Sequence, residues 1–174
     1  IPLSGWGTVA FDYDDDGRPD LFVVNGSTLQ DRDDPSRLVP MPSKLFWNRG
    51  GEDGFFDVSP VAGTYFRTPY VGRGAAFADY DHDGDVDAFV VNFGGPGVLL
   101  RNDGGNRNHW LRVRTVGTKS NRDGLGAVVR VTSAGGKQWA MVRSGSSYCS
   151  QSQMAPTFGL GPDKVVQSLE IDWP

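Results

Sequence analysis

The sequence predicts an all-β protein, and three observations carry the prediction. Of the 21 acidic residues 19 are Asp, and the chain contains 24 Gly; both residue types favour turns and loops over helices. A segment with a strand–loop–strand pattern occurs twice. In the last third of the chain, polar and apolar residues alternate with a period of two, which is typical of half-buried strands. These features argue against a helical bundle or a coiled coil.

The repeated segments are residues 5–25 and 72–92, which align without a gap. They share two opening glycines, the pattern D-Y-D-x-D-G-x-x-D, and a closing F-V-V-N. In each, a short apolar stretch precedes the acidic loop, and a run rich in Val and Phe follows it. Each segment therefore predicts two strands joined by an acidic loop.

The remaining elements follow from the same signals. The predicted strands of the N-terminal part are residues 8–11, 21–24, 44–47, 55–58, 75–78, 88–91 and 97–101. The continuous apolar runs at 21–24 and 88–91 predict strands that are buried on both faces. Residues 30–42 are polar and contain proline, so they predict a long loop.

The C-terminal part predicts a small β-sandwich-like domain. Alternation marks strands at residues 110–116, 127–132, 138–143 and the end of 165–173, with Gly turns at 123–124 and 134–136. The alternation places four arginines on solvent-facing positions: Arg112, Arg114, Arg130 and Arg143.

The chemistry lies in the two acidic loops. Aspartates occupy loop positions 1, 3, 5 and 9, and the Gly at position 6 permits a sharp turn. Position 7 is predicted to contribute its backbone carbonyl. The predicted metal ligands are Asp12, Asp14, Asp16, Arg18 and Asp20 in the first loop and Asp79, Asp81, Asp83, Asp85 and Asp87 in the second.

Oxygen ligands without soft donors favour Ca²⁺, so the sequence predicts two calcium sites. Magnesium is less favoured, because it prefers a stricter octahedron and keeps more of its own water. The alternative is a pair of ordinary Asp-rich turns, but carboxylates packed this closely would repel one another without a cation. The loops also differ from an EF-hand, because position 12 is Val23 or Val90 instead of Glu.

The two acidic loops and their flanking strands resemble the FG-GAP/VCBS repeats of β-propellers. The C-terminal part resembles the ASPIC/UnbV domain over residues 108–113, 120–127, 142–148, 158–161 and 171–174. The resemblance implies a partial β-propeller in residues 1–107, with a partial second repeat, and an ASPIC/UnbV-like β domain in residues 108–174. It also implies calcium binding, an extracellular, cell-surface or periplasmic setting, and no catalytic residues.

Several function classes are disfavoured. A pI near 5.0 without a basic block argues against nucleic-acid binding, and no apolar run approaches the roughly 20 residues of a membrane span. A hydrolytic triad needs a positioned His base. The two histidines are His82, at loop position 4, and His109, at the start of a predicted strand.

We therefore expect a non-catalytic calcium-binding module that acts as an interaction scaffold or accessory subunit. Two repeats cannot close a propeller, so the expected partner is another protein or the remaining propeller blades. The alternative is a calcium-dependent carbohydrate-binding, lectin-like module with a glycan as partner. Its candidate stacking residues are Trp6, Tyr65, Tyr70 and Trp139.

Overall fold

The computed structural model describes residues 3–174, so residues 1 and 2 of the predicted N-terminal domain lie outside the described part. The described chain is all-β, with antiparallel strands throughout. The strands are β1 (Gly5–Phe11), β2 (Asp20–Asn25), β3 (Lys44–Asn48), β4 (Phe55–Asp57), β5 (Gly72–Ala78), β6 (Asp87–Asn92), β7 (Val98–Leu100), β8 (His109–Arg112), β9 (Val128–Ser133), β10 (Gly136–Met141), β11 (Thr157–Gly161) and β12 (Ser168–Asp172). Two short 3₁₀ turns cover Tyr65–Arg67 and Gly105–Arg107.

The two repeated segments each form the first two strands of a sheet. The first sheet has the order β1-β2-β3-β4 and the second has the order β5-β6-β7. All seven strands predicted for the N-terminal part are confirmed within a few residues. The predicted loop at residues 30–42 is also confirmed, and two isolated bridges tie it down, Gln30 to Leu38 and Met41 to Tyr70.

The two sheets pack face to face around one apolar core. Phe22 and Val24 of the first sheet are fully buried, and so is Val90 of the second. The ring of Phe77 lies 4.6 Å from that of Phe11 and 5.6 Å from that of Phe22. Aromatic pairs at these separations add to the stabilisation from burial, so this contact joins the two repeats.

The prediction of burial on both faces is wrong for β6, whereas in β2 one face is buried and Leu21 and Val23 on the other are half-buried. Along β6, Ala88 and Val90 are buried, whereas Phe89 and Val91 are 45% and 50% exposed. The apolar run of β6 thus supplies one face for the core and a second apolar face that stays accessible to solvent.

The C-terminal part contains two further sheets, with the orders β10-β9-β12 and β11-β8. They enclose a second core of buried residues: Val113, Ala127, Val129, Val131, Val142, Phe158 and Leu160. The predicted small β-sandwich-like architecture is confirmed, with the β9–β10 turn at residues 134–135. The predicted strand at 110–116 is shorter than expected and ends at Arg112.

One strand and one arginine differ from the expectation. Strand β11 was not predicted from the sequence, because Gly159 and Gly161 interrupt the alternation. Arg112 does not face solvent as predicted: its side chain is 16% exposed and contacts Asp79 of the second sheet. The other three arginines of the predicted set, Arg114, Arg130 and Arg143, are exposed as expected.

The close approach of the two sheets predicts the effect of a small substitution. A Cβ atom at Gly7 would lie 2.7 Å from the carbonyl oxygen of Arg73 and 3.0 Å from the nitrogen of Ala75. We expect Gly7→Ala to lower the free energy of unfolding by about 1–3 kcal/mol, because backbone atoms must move apart. Urea unfolding measures this change. Gly95→Ala is the matched control, since its nearest neighbour would be 3.9 Å away; an equal loss in both variants would contradict the prediction.

Candidate metal centres

Both acidic loops connect the first two strands of a sheet. Phe11 pairs with Asp20 across β1 and β2, and Ala78 pairs with Asp87 across β5 and β6. Strand pairing therefore brings the first and ninth loop positions together before any ion binds. The turn within each loop uses a glycine with a positive φ, 90° at Gly17 and 113° at Gly84, a conformation that side-chain-bearing residues rarely adopt.

In the first loop, Asp12, Asp14 and Asp20 each place a carboxylate oxygen within 4.8 Å of the others. The backbone holds two of them. Asp12 accepts hydrogen bonds from the backbone nitrogens of residues 16 and 17, at 3.1 and 2.8 Å. Asp20 accepts bonds from those of residues 13 and 48, at 3.0 and 2.7 Å.

Asp14 completes this group of three. Its Oδ2 accepts a 3.1 Å hydrogen bond from the indole nitrogen of Trp47, while its Oδ1 is buried and has no hydrogen-bond partner. A buried carboxylate oxygen without a donor is costly. The donor set is entirely hard oxygen, so the residues fit a hard cation such as Ca²⁺.

The second loop repeats this arrangement with Asp79, Asp81 and Asp87. Asp79 accepts bonds from the backbone nitrogens of residues 83 and 84, at 3.1 and 3.2 Å. Asp87 accepts bonds from those of residues 80 and 102, both at 2.8 Å. The same hydrogen bonds at equivalent positions show that the repeated sequence specifies the geometry of the loop.

The other four predicted ligands lie outside these groups of three, and their ligand roles stay predictions. Asp16 accepts a 2.8 Å bond from the backbone nitrogen of Arg18 and forms an ion pair with its guanidinium. Asp83 accepts a 3.3 Å bond from the backbone nitrogen of Asp85. The Asp85 side chain is fully buried, with Oδ2 accepting a 3.1 Å bond from the nitrogen of Gly105.

Burial dominates the electrostatics of the first loop. It raises the pKa of Asp12 to about 7 and that of Asp20 to about 7, and the neighbouring carboxylates act in the same direction. Burial also raises the pKa of Asp14. A shift of this sign means that the folded loop disfavours its own charge when no cation is present.

Two residues near these centres were missed as functional by the sequence analysis. Asp15 is 1% exposed, neither of its carboxylate oxygens has a hydrogen-bond partner, and burial raises its pKa to about 8. Arg112 donates from Nη1 to Oδ2 of Asp79 at 2.5 Å. Although burial acts to raise the pKa of Asp79, this contact holds it below its ordinary value.

For Asp15 the sequence carried a signal, since loop position 4 is Asp in the first repeat and His82 in the second. For Arg112 it carried none. The partner of Arg112 lies 33 residues away, and only the packing of β8 against the second loop brings them together.

The aromatic residues proposed for glycan stacking do not share one surface. Tyr65 is buried in the first core, and Tyr70 stacks on it with ring centroids 5.3 Å apart. The ring of Trp6 lies edge-on to Tyr148 at 4.9 Å. Trp139 is 69% exposed on β10.

Comparison with protein-family models gives two matches. Residues 12–90 match the FG-GAP-like repeat, and residues 117–174 match the domain called ASPIC and UnbV. The N-terminal part of the chain thus matches one family model and the C-terminal part matches the other. The first match covers the two groups of three aspartates, and the second covers β9 to β12. The boundary at residues 107 and 108 stays a prediction.

The chain is also similar to a curated protein, cartilage acidic protein 1 of Xenopus tropicalis. The two are 34% identical over 107 residues, which is 59% of this chain and 16% of that protein. The chain thus spans a small part of this relative's length. Among residues 3–174, no helix has the length and apolar character needed to cross a membrane.

The raised pKa values predict how stability depends on pH. Without metal, folded Asp12 and Asp20 bind protons up to about pH 7, whereas the unfolded chain releases them near 3.8. The folded state therefore holds more protons between these values, and the free energy of unfolding falls as the pH rises through this window.

Calcium removes this loss by balancing the charge, so the increase in Tm on adding Ca²⁺ should be larger at pH 8 than at pH 5. Differential scanning fluorimetry with excess Ca²⁺ and with a chelator, at both pH values, measures this difference. A Tm increase at pH 5 that equals or exceeds the increase at pH 8 would contradict the prediction.

Proposed function

We propose that this chain is a non-catalytic, calcium-stabilised part of a β-propeller that serves as a protein-interaction scaffold or accessory subunit. The observation that carries the proposal is the pair of equivalent aspartate groups, each held by backbone N–H donors at the end of a sheet. The FG-GAP-like repeat and the similarity to cartilage acidic protein 1 support an extracellular, cell-surface or periplasmic setting.

Calcium is the cation that suits these sites best. Ca²⁺ takes six to eight oxygens in an adaptable shell, and its ligand number is met by carboxylates, backbone carbonyls and water. Each group offers three carboxylates, with further oxygens from the neighbouring predicted ligands of the loop. Mg²⁺ demands a stricter octahedron, and thiophilic metals lack a sulfur or imidazole donor in either group of three.

A conservative substitution tests the first site. Asp14→Asn removes one negative charge, but its amide oxygen can still accept the hydrogen bond from Trp47. We expect calcium affinity at the first loop to fall by about tenfold or more, which is about 1.4 kcal/mol. In chelator the variant should be at least as stable as the parent protein, because repulsion among carboxylates is relieved.

Isothermal titration calorimetry and thermal unfolding measure these two quantities. Asp53→Asn is the matched control, since Asp53 lies on an exposed turn outside both loops. An Asp14→Asn variant that binds calcium as tightly as the parent would remove the first loop from the proposal. A parent protein whose Tm does not respond to calcium would remove both sites.

The face proposed for partner binding follows from comparing the two repeats. Phe22, Val24 and Leu45 of the first sheet are 1%, 0% and 7% exposed, because they lie in the core that the first sheet shares with the second. The strand register makes Phe89, Val91 and Leu99 their counterparts in the second sheet. These three are 45%, 50% and 45% exposed.

The first sheet shares a core with the second sheet through Phe22, Val24 and Leu45. The second sheet has an equivalent apolar surface, but this surface is exposed. We name this surface, formed by Phe89, Val91 and Leu99, the β6–β7 face. Contiguous exposed apolar patches are a feature of interaction sites. A sheet with an apolar face like the one that the second sheet turns toward the first, formed by Ala75, Phe77, Ala88 and Val90, has the complementary shape.

The β6–β7 face predicts binding of an apolar probe. Phe89→Ser should reduce the fluorescence of bound 1-anilinonaphthalene-8-sulfonate, because it removes the largest side chain of the patch, while the calcium response of Tm stays unchanged. Val61→Ser is the control: Val61 is 83% exposed, outside the patch. Equal loss of fluorescence in both variants, or none in Phe89→Ser, would count against this face as the interaction surface.

A further inference from the structure

Both acidic loops lie against one two-stranded sheet of the C-terminal part. This sheet consists of β8 and β11. The two strands are antiparallel, with His109 paired to Gly161 at one end and Arg112 paired to Thr157 at the other. The first loop contacts the glycines of β11, and the second loop contacts the side chains at the end of β8. The two candidate cation sites therefore share one support, although they belong to different sheets of the N-terminal part.

At the first loop, the contact leaves no room for a side chain. A Cβ atom at Gly159 would lie 2.1 Å from Oδ2 of Asp12 and 2.4 Å from the carbonyl carbon of Asp15. The backbone nitrogen of Gly161 donates a 2.9 Å hydrogen bond to the carbonyl oxygen of Asp15. Gln138 fixes this strand by donating a 2.6 Å bond to the carbonyl oxygen of Gly159. Because Gly159 has no side chain, β11 can contact the carboxylate of Asp12 in the first aspartate group.

At the second loop, the contact is made by side chains. Arg112 donates to Oδ2 of Asp79, and its Nε donates a 3.0 Å bond to Oγ1 of Thr157 on the neighbouring strand. The guanidinium lies 5.1 Å from the ring centre of Trp110. The indole packs directly on the loop, since a Cβ atom at Gly84 would lie 2.2 Å from its nitrogen.

The segment between the last strand of the second sheet and β8 adds a further tie. Asn102 donates a 2.7 Å bond to the carbonyl oxygen of Tyr13, and Asn108 donates a 2.8 Å bond to that of Asp14. Both acceptors belong to the first loop, although the donors follow the second sheet in sequence. The backbone of the first loop is thus held by the segment that leads into β8.

We propose that cation binding at the two loops and docking of the β8–β11 sheet are one coupled event, with Arg112 and Gly159 as positioning residues. The inference rests on the proposed calcium function. Groups that orient ligand carboxylates tune metal affinity strongly, and here those groups belong to a separate part of the fold. By linkage, a cation that orders the loops strengthens docking, and docking strengthens cation binding by the same factor.

Terbium, which replaces calcium and emits when a nearby indole absorbs light, is the probe that resolves the two sites. Trp47 bonds to Asp14 in the first loop, and Trp110 packs on the second loop. The emission that remains in Trp47→Phe reports the second loop, and the difference from the parent protein reports the first. Each site is thus measured separately in the full chain.

The decisive variant is Arg112→Met, with affinity read at the first loop, which Arg112 does not contact. Loss of a positive charge alone would tighten cation binding there, because it removes repulsion between the guanidinium and the cation. Coupling predicts the opposite, about tenfold weaker binding. Unchanged or tighter binding at the first loop overturns the proposal. Arg112→Lys, which keeps the charge, should weaken binding less than Arg112→Met.

The reciprocal variant is Gly159→Ala, with affinity read at the second loop. We expect weaker terbium binding there, although Gly159 contacts the first loop. Gly135→Ala in the same C-terminal part is the control, because its Cβ atom would make only an ordinary 3.4 Å contact. A loss confined to the first loop in Gly159→Ala overturns the coupling and indicates a local clash.

The unaltered protein provides a measurement that does not depend on a variant folding. Calcium should slow amide hydrogen exchange at Gly159 and Gly161 as well as within the two loops, and protection confined to the loops overturns the proposal. If the parent protein binds neither terbium nor calcium, the proposed calcium function itself fails. That outcome is distinct from binding without coupling.

Discussion

Repulsion among closely packed carboxylates is the constraint on which the rest of this structure depends. Each loop places five aspartates within nine residues, at 12–20 and 79–87. Strand pairing brings together the aspartates at the first and ninth loop positions, and backbone N–H groups orient their carboxylates inward. The hydrogen bonds favour the charged form, but burial opposes it more strongly in the first loop. In the first loop, the strand geometry thus brings buried carboxylates together, and the hydrogen bonds of the polypeptide do not fully stabilise their negative charge.

The two loops have the same motif but lie in different electrostatic surroundings. In the second loop, Arg112 lies against the first-position aspartate and lowers its pKa. In the first loop, the equivalent aspartate faces the backbone of β11, and the extra carboxylate of Asp15 is buried beside it. Arg18 pairs with Asp16 on the exposed side of that loop. Arginine thus pairs with the aspartate at the fifth loop position in the first loop and with the one at the first position in the second.

The sequence predicted the elements whose causes are local. The repeat specified β1, β2, β5 and β6, because the glycines, the aspartates and the Val-rich runs act within a few residues of each other. It also predicted the aspartates of both groups of three, because strand pairing follows from the hairpin. The features that the sequence did not predict depend on packing between residues that are far apart in the chain. The alternation alone predicted that Arg112 faces solvent, whereas its side chain contacts Asp79. Strand β11 was not predicted because glycine has a low strand propensity, and Gly159 is needed there for the close contact with Asp12.

The opposite burial of β2 and β6 has a geometric consequence. Phe22 is covered on the face where its counterpart Phe89 is open, so the two repeats join through unlike surfaces. An interface between unlike surfaces is heterologous, so successive units are joined head to tail. The rotation that relates one unit to the next need not close into a ring. Units of this kind add head to tail, and the angle between neighbours decides between a closed ring and an open helix. The tilt between the two sheets, set by Phe11, Phe22 and Phe77, is therefore the quantity that governs how such an assembly ends.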